Sequence, residues 1–179
     1  VGNCRIEQSP YLKAANRLLE GQETVFALTR RIPGKAFDWN RDPATARSAP
    51  LAFGKRLNVS NKDIVGDIKY VWEFNRHAEL VTLSQAYALS NDDAYLCEIE
   101  ERLTSWLDQC PYPLGVNWSS GLEVAIRLVN WSVVWQLIGG RVASLFEGEQ
   151  GALLLQRWLD SIYQHVHFIR SDYSRFSSA

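Results

Sequence analysis

The sequence has 179 residues, 46% of them apolar, and a formal net charge of −1 at pH 7. That length and apolar share describe one globular domain with a sizeable core and exclude a disordered chain. The balanced charge, with no basic run, argues against nucleic acid as a partner, and no apolar run is long enough to span a membrane.

Residues 9–20 (SPYLKAANRLLE) read as a short helix closed by Gly21. Glu23–Thr29 has strand-like content and reads equally well as a tucked arm. From Arg31 to Asn61 the chain is irregular, with Pro33, Gly34, Pro43, Pro50 and Gly54 spread through it. A loop this long either packs or works. Phe37, Trp39, Leu51 and Phe53 supply apolar anchors, so the spacing predicts an ordered arm laid on the helices.

Helices follow. Asp67 can cap one running to about Ser90, with Val71, Phe74, Ala78, Val81, Leu83, Ala86 and Leu89 at helical spacing. Asn91-Asp92-Asp93 opens the next, over 91–109, whose stripe is Leu96, Ile99, Leu103, Trp106 and Leu107. Pro111, Pro113 and Gly115 then forbid a helix, and Asn117-Trp118 sits at the mouth of the following one, about 120–138. Ser120 and Glu123 have the spacing of a capping box. This helix is apolar nearly all round (Leu122, Val124, Ala125, Ile126, Leu128, Val129, Trp131, Val133, Val134, Trp135), which predicts burial of Trp131 and Trp135 among other helices. Gly139-Gly140 closes it. The last helix, about 148–170, carries Leu154, Trp158, Ile162, Val166 and Ile169. The fold class is all-α: antiparallel helix pairs over 61–179 behind an arm at 1–60, forming a single domain. Val1 at the start and Ser177-Ser178-Ala179 at the end give it the look of a piece of a longer chain.

Cys4, Cys97 and Cys110 form no CxxC pattern, and Cys97 and Cys110 share a predicted helix, so neither a zinc site nor a disulfide framework is expected. His165 and His167 point to different helix faces and make no metal pair. No metal and no cofactor is expected.

Three places could carry chemistry. The first is WEFNRH, where Glu73 reaches Arg76 at i+3 and His77 at i+4, and Trp72 reaches Arg76. An ion-paired helix face explains part of this. Asn75, Arg76 and His77, interrupting an apolar helix, are candidates for substrate contact. The second is the entrance of the 120–138 helix. Its N-terminal N–H groups and dipole suit an anion, with Asn117 and Trp118 beside them and Glu123, Arg127 and Asn130 on one face. The cap accounts for Glu123, and a Glu123–Arg127 pair at i+4 accounts for Arg127. The third is Tyr173, flanked by Arg170 and Arg175. Nearby guanidinium groups would lower a phenol from its usual pKa of about 10 and fit it for proton transfer. A helix-end tyrosine is the plainer reading.

FDWNRDP (37–43), KYVWEFNRH (69–77) and GVNWSSGLEVAIRLVNW (115–131) together resemble, in order and spacing, the N-terminal helical domain of heparinase II/III-like polysaccharide lyases, over about residues 14–179. The resemblance implies an incomplete (α/α) toroid followed by a C-terminal β-sandwich domain. It implies β-elimination on an anionic polysaccharide containing uronic acid, such as heparan sulfate or alginate, in a periplasmic or secreted setting. In that family an asparagine in a helix-entrance loop offsets the uronate carboxylate, which matches Asn117. A tyrosine some fifty to sixty residues later acts as base or acid, which matches Tyr173. The family's Asn-Asn-His motif would follow Ser177-Ser178, so these 179 residues are expected to hold an incomplete site. Two rivals remain: a carbohydrate-binding scaffold without turnover, and a glycoside hydrolase using two facing carboxylates drawn from Asp67, Glu73 and Glu123.

Overall fold

The computed structural model describes residues 7–32 and 36–172. Helix α1 (Ser9–Leu19) starts with Pro10 in its first turn and ends at Gly21, where φ is +73°. A Cβ there would lie 2.8 Å from the Ile32 carbonyl oxygen, so only glycine fits. Next come β1 (Gln22–Val25) and β2 (Leu28–Arg31), an antiparallel pair with Val25 opposite Leu28. The strand alternative for Glu23–Thr29 is therefore the one realised, as a hairpin turning at Phe26-Ala27.

The arm is ordered, though two of its expected anchors are not buried. Trp39 is fully buried, stacked between Phe37 at 5.2 Å and Phe74 at 4.6 Å. Leu51 and Phe53 are exposed. That stretch is held by its backbone instead: Gly115 N–H donates to the Ala52 carbonyl (2.7 Å) and Gly54 N–H to the Pro113 carbonyl (3.0 Å). Asp42 caps the turn that follows Trp39. Burial raises its carboxyl pKa, but hydrogen bonds from Thr45, Asp67 and Ala44 outweigh this and hold it below the usual value.

Asn61 caps the short α2 (Lys62–Val65), and Asp67 caps α3 (Ile68–Phe74), its carboxylate accepting from Lys69 N–H at 3.2 Å. The single helix expected from Asp67 to Ser90 is in fact two. It breaks at 75–77, and α4 (Ala78–Ser90) begins anew. Asn75 turns its amide back onto the Val71 carbonyl (2.7 Å), and His77 takes the left-handed conformation at φ +61°. Asp92 caps α5 (Asp93–Gln109).

In α6 (Gly121–Leu137) the expectation of burial all round fails: Leu122, Val129 and Val133 are exposed and Trp135 is half-buried, while Trp131 is buried. Gly139 follows it with φ +99°. In α7 (Gly148–Ser171) the buried face runs Leu154, Trp158, Ser161, His165, Phe168. The apolar pattern pointed to Ile162, Val166 and Ile169 instead. Val166 is exposed and the other two are half-buried, because polar Ser161 and His165 take the inner positions.

The described residues are mostly helical, with one two-stranded sheet. Helix α4 packs on α1, α5 and α6, and α7 packs on α6 and α5. The core between them is aromatic: Trp39, Trp106, Trp118, Trp131 and Trp158 are all fully buried. Arg102 lies buried on α5, paired with Glu23 of the hairpin and with Glu98 at 2.7 Å. No described helix is long and apolar enough to cross a membrane.

Candidate functional site

The break between α3 and α4 places three of the candidates. Asn75 uses its whole amide: Nδ2 donates to the carbonyls of Trp39 (2.8 Å) and Val71, and Oδ1 accepts from Trp106 Nε1–H (2.9 Å). It therefore pins the arm to α5. His77 is fully buried among the rings of Trp39, Trp106 and Trp131. Trp131 Nε1–H donates to His77 Nδ1 at 2.7 Å, so the proton of the neutral ring sits on Nε2, an atom with no partner. The i+4 contact from Glu73 to His77 does not form, since His77 points into the core. Arg76 turns outward. It pairs with Glu73 and grips Glu123 through Nε (2.7 Å) and Nη2 (3.0 Å). That fork ties the α3–α4 corner to the first turn of α6.

This grip also undoes the expected capping box. Ser120 has extended N-cap geometry, but its side chain caps nothing, and Glu123 belongs to Arg76. The expected Glu123–Arg127 pair is lost for the same reason. The end of α7 lies against the first residue of α6: a Cβ on Gly121 would lie 2.6 Å from the Asp172 carbonyl oxygen and 3.4 Å from its Oδ2. Lys55 pairs with the Asp172 carboxylate.

Asn117 and Trp118 sit in a 3₁₀ turn, Val116–Trp118, just ahead of α6. Both are buried. Asn117 Nδ2 faces Cys110 Sγ at 3.0 Å, Asn40 Oδ1 at 3.4 Å and the Trp39 carbonyl at 3.5 Å, while Oδ1 has no partner. Trp118 Nε1–H donates to the Cys110 carbonyl at 3.0 Å.

Arg127 lies behind this turn and is 1% exposed. Its Nη2 donates to the Asn117 carbonyl at 3.0 Å, and its guanidinium sits 4.5 Å from the Trp106 ring and 5.8 Å from that of Trp118. Nε and Nη1 have no hydrogen-bond partner, and no described carboxylate pairs with it. Burial pushes its pKa down to about 10, so it keeps its charge at neutral pH. Burial in turn pushes the Cys110 thiol up to about 12. His165 completes the cluster, 4.6 Å from the rings of both Trp118 and Trp131. Its Nδ1 donates to the Ser161 carbonyl (2.6 Å), which leaves Nε2 as an acceptor without a donor. Burial first, then the Arg127 charge, holds both His77 and His165 well below 6.5.

The structure thus gathers Asn75, Arg76, His77, Asn117, Trp118, Glu123 and Arg127 into one connected cluster; Tyr173 lies outside the described residues. Most of the cluster is interior, and Glu73 and Arg76 form its wetter edge. A cleft of about 280 Å³ beside that edge carries Arg17 against Glu23, Glu73 and Glu79. Sequence reading missed His165 and Cys110 as members of the cluster, and placed Trp39 only as an arm anchor. The signal for His165 was its four-residue spacing from Ser161, hidden among apolar neighbours. No group of three or more His, Cys, Asp and Glu side chains among the described residues is placed to hold a metal ion. No curated protein and no solved structure matches the chain. Residues 9–178 match the family model described as heparinase II/III N-terminus, and the chain belongs to that family.

Proposed function

We propose that this chain is the helical domain of a polysaccharide lyase that cleaves a uronate-containing anionic polymer by β-elimination. Membership of the heparinase II/III N-terminal family supports the class. The observation that carries the reading furthest is Arg127, a fully buried cation bonded to the Asn117 carbonyl with no ion-paired carboxylate among the described residues. A positive charge kept behind a helix-entrance turn raises the potential for an anion arriving in front of it.

In this reading the helices form an incomplete (α/α) toroid, and a C-terminal β-sandwich of the same protein, periplasmic or secreted, closes the other side of the cleft. The uronate carboxylate makes its C5 proton acidic only when its charge is offset. Asn117, backed by Arg127, supplies that offset. Tyr173 removes the C5 proton, the released electron pair forms the C4–C5 double bond, the C4–O4 bond breaks, and an acid returns a proton to O4. The Trp39–Asn40 segment covers the Asn117 amide, so substrate must displace it to make direct contact.

Burial of Asn117 favours a second reading, in which the amide serves only to hold the arm and the domain binds polymer without turnover. Formation of unsaturated, ultraviolet-absorbing sugar by the intact protein separates the two. Under the lyase reading Asn117→Ala lowers turnover about 10²–10³-fold, as expected for one lost donor at a developing oxyanion. Tyr173→Phe lowers it about 10²–10⁴-fold, the range for a general acid–base group. Normal turnover in both variants would remove them from the mechanism. Binding with no unsaturated product from the unaltered protein would establish the scaffold reading.

A further inference from the structure

The last turns of α7 carry a group of side chains that the reading above leaves unused. Tyr163, His167 and Arg170 stand at i, i+4 and i+7, on one face of the helix. With Val166 and Ser171 they line an open cleft of about 360 Å³. Tyr163 is 72% exposed. A ring left so open forfeits the burial that normally repays an aromatic side chain. Arg170 is also exposed and has no ion-pair partner among the described residues, whereas nearby Lys55 is already taken by Asp172.

His167 is exposed yet held in place. Its Nδ1 lies 3.0 Å from Tyr112 Oη, and the two rings meet edge-on at 6.3 Å. Tyr112 in turn stands edge-on to Trp118 at 4.9 Å. The imidazole is therefore tied to the buried turn that carries Asn117, and its Nε2 is left without a partner among the described residues. Ordering an exposed side chain costs rotamer entropy, which a waiting ligand contact would repay.

A flat aromatic face, a fixed imidazole and a guanidinium fork on one helix face match a pyranose ring bearing an anionic group. The apolar C–H face of the sugar lies on Tyr163, the fork takes two oxygens of the anion, and His167 reaches a hydroxyl. We propose that this face of α7 is a binding subsite for one anionic sugar unit of the polymer. It rests on the lyase reading only for the identity of that polymer. Carboxylate and sulfate share the chemistry that Arg170 recognises.

The test is titration calorimetry on the full-length protein with three hexasaccharides. Oligomannuronate carries carboxylates alone, a heparin hexasaccharide carries carboxylates and sulfates, and cellohexaose is neutral. The unaltered protein is expected to bind at least one anionic hexamer and to bind cellohexaose at least about tenfold more weakly. Tyr163→Ala and Arg170→Ala should each weaken the anionic hexamer about tenfold, the loss of one stacking surface or one charge-assisted contact. Both side chains are exposed, so melting temperatures should stay at the unaltered value. Tyr112→Phe frees His167 and should weaken binding by a smaller factor. Preference between the two anionic hexamers identifies the recognised group, and either preference supports the subsite. If both alanine variants bind as the unaltered protein does, the subsite is refuted while the lyase reading stands. If cellohexaose binds equally well, charge recognition is refuted. If no anionic hexamer binds, the subsite is refuted, and the lyase reading is decided separately by formation of unsaturated sugar from a uronate polymer.

Discussion

Acidification from pH 7 to pH 5 tests the buried histidines directly. His77 and His165 are fully enclosed, and burial, reinforced by the Arg127 charge, holds both well below 6.5. In the unfolded chain each titrates near 6.5, so below that pH the unfolded state binds more protons than the folded one. Their folded values are depressed, so stability falls as pH drops through 6.5 and is regained above it. With neither ring protonated in the folded state, each contributes a slope of about 1.4 kcal/mol per pH unit once the unfolded ring is charged. Integrated from pH 7 to pH 5, that is at most about 2 kcal/mol per histidine and about 4 kcal/mol for the pair, the limit reached when both rings stay neutral throughout. Asp42, held below its usual carboxyl value, adds its own loss only at lower pH. The assay is urea unfolding at pH 7, 6 and 5, for the unaltered protein and for His165→Gln, which keeps a polar side chain but does not titrate. The variant should show about half the pH slope. Stability that stays flat across the window, or a slope unchanged in His165→Gln, would refute the picture of two neutral histidines locked in the tryptophan core.

Three further outcomes follow from particular contacts. Ser120→Ala should change stability by less than about 0.5 kcal/mol in denaturant melts, because the hydroxyl caps nothing; a loss of about 1 kcal/mol would restore the N-cap. Gly54→Ala should cost about 1–3 kcal/mol, since the new Cβ would lie 2.3 Å from the Trp118 carbonyl oxygen and 2.7 Å from that of Gly115; an unchanged melting temperature would show that the arm gives way freely. Of the two described cysteines, an aromatic disulfide reagent should label exposed Cys97 in the native protein and reach Cys110, whose thiol is pushed up to about 12, only on unfolding; rapid native labelling of Cys110 would mean the Asn117 turn opens readily.

Local chemistry made much of this fold legible. Asp67 caps its helix as its position promised, Asp92, read as a first-turn acid, is instead the cap of its helix, and Gly21 and Gly139 end helices in the left-handed region. The break at 75–77 was not legible, because Phe74, Ala78 and Val81 keep helical spacing straight across it. What breaks the helix is tertiary: Asn75 bonds the Trp39 carbonyl and Trp106, and Asn130 Nδ2–H donates to the Arg76 carbonyl at 2.8 Å. The inner face of α7 was misplaced for a related reason. An apolar pattern cannot choose His165 over Val166 unless the tryptophan surround that shelters the imidazole is already known. The candidate residues could be named from their motifs, but their interior placement could not be read there, because exposure is a property of what packs on a residue.

The partner choices of Arg76 and Arg127 are the least local feature of all, and they bear most on function. By spacing alone Glu123 should pair with Arg127 one turn along α6. Instead Arg76 arrives from the α3–α4 corner and takes both carboxylate oxygens. The other deeply buried cation among the described residues, Arg102, has Glu23 and Glu98 against it. Arg127 has two tryptophan faces and one backbone carbonyl. An interior charge without an ion-paired counter-charge costs several kcal/mol, and a neutral side chain of similar size would avoid that cost. A fold selected for stability alone gains nothing by routing Glu123 away from its neighbour. The arrangement gains meaning if the missing negative charge arrives with substrate, in front of the turn that Arg127 braces. Under the lyase reading, then, Arg127→Met should leave the fold intact or firmer while turnover on a uronate polymer falls.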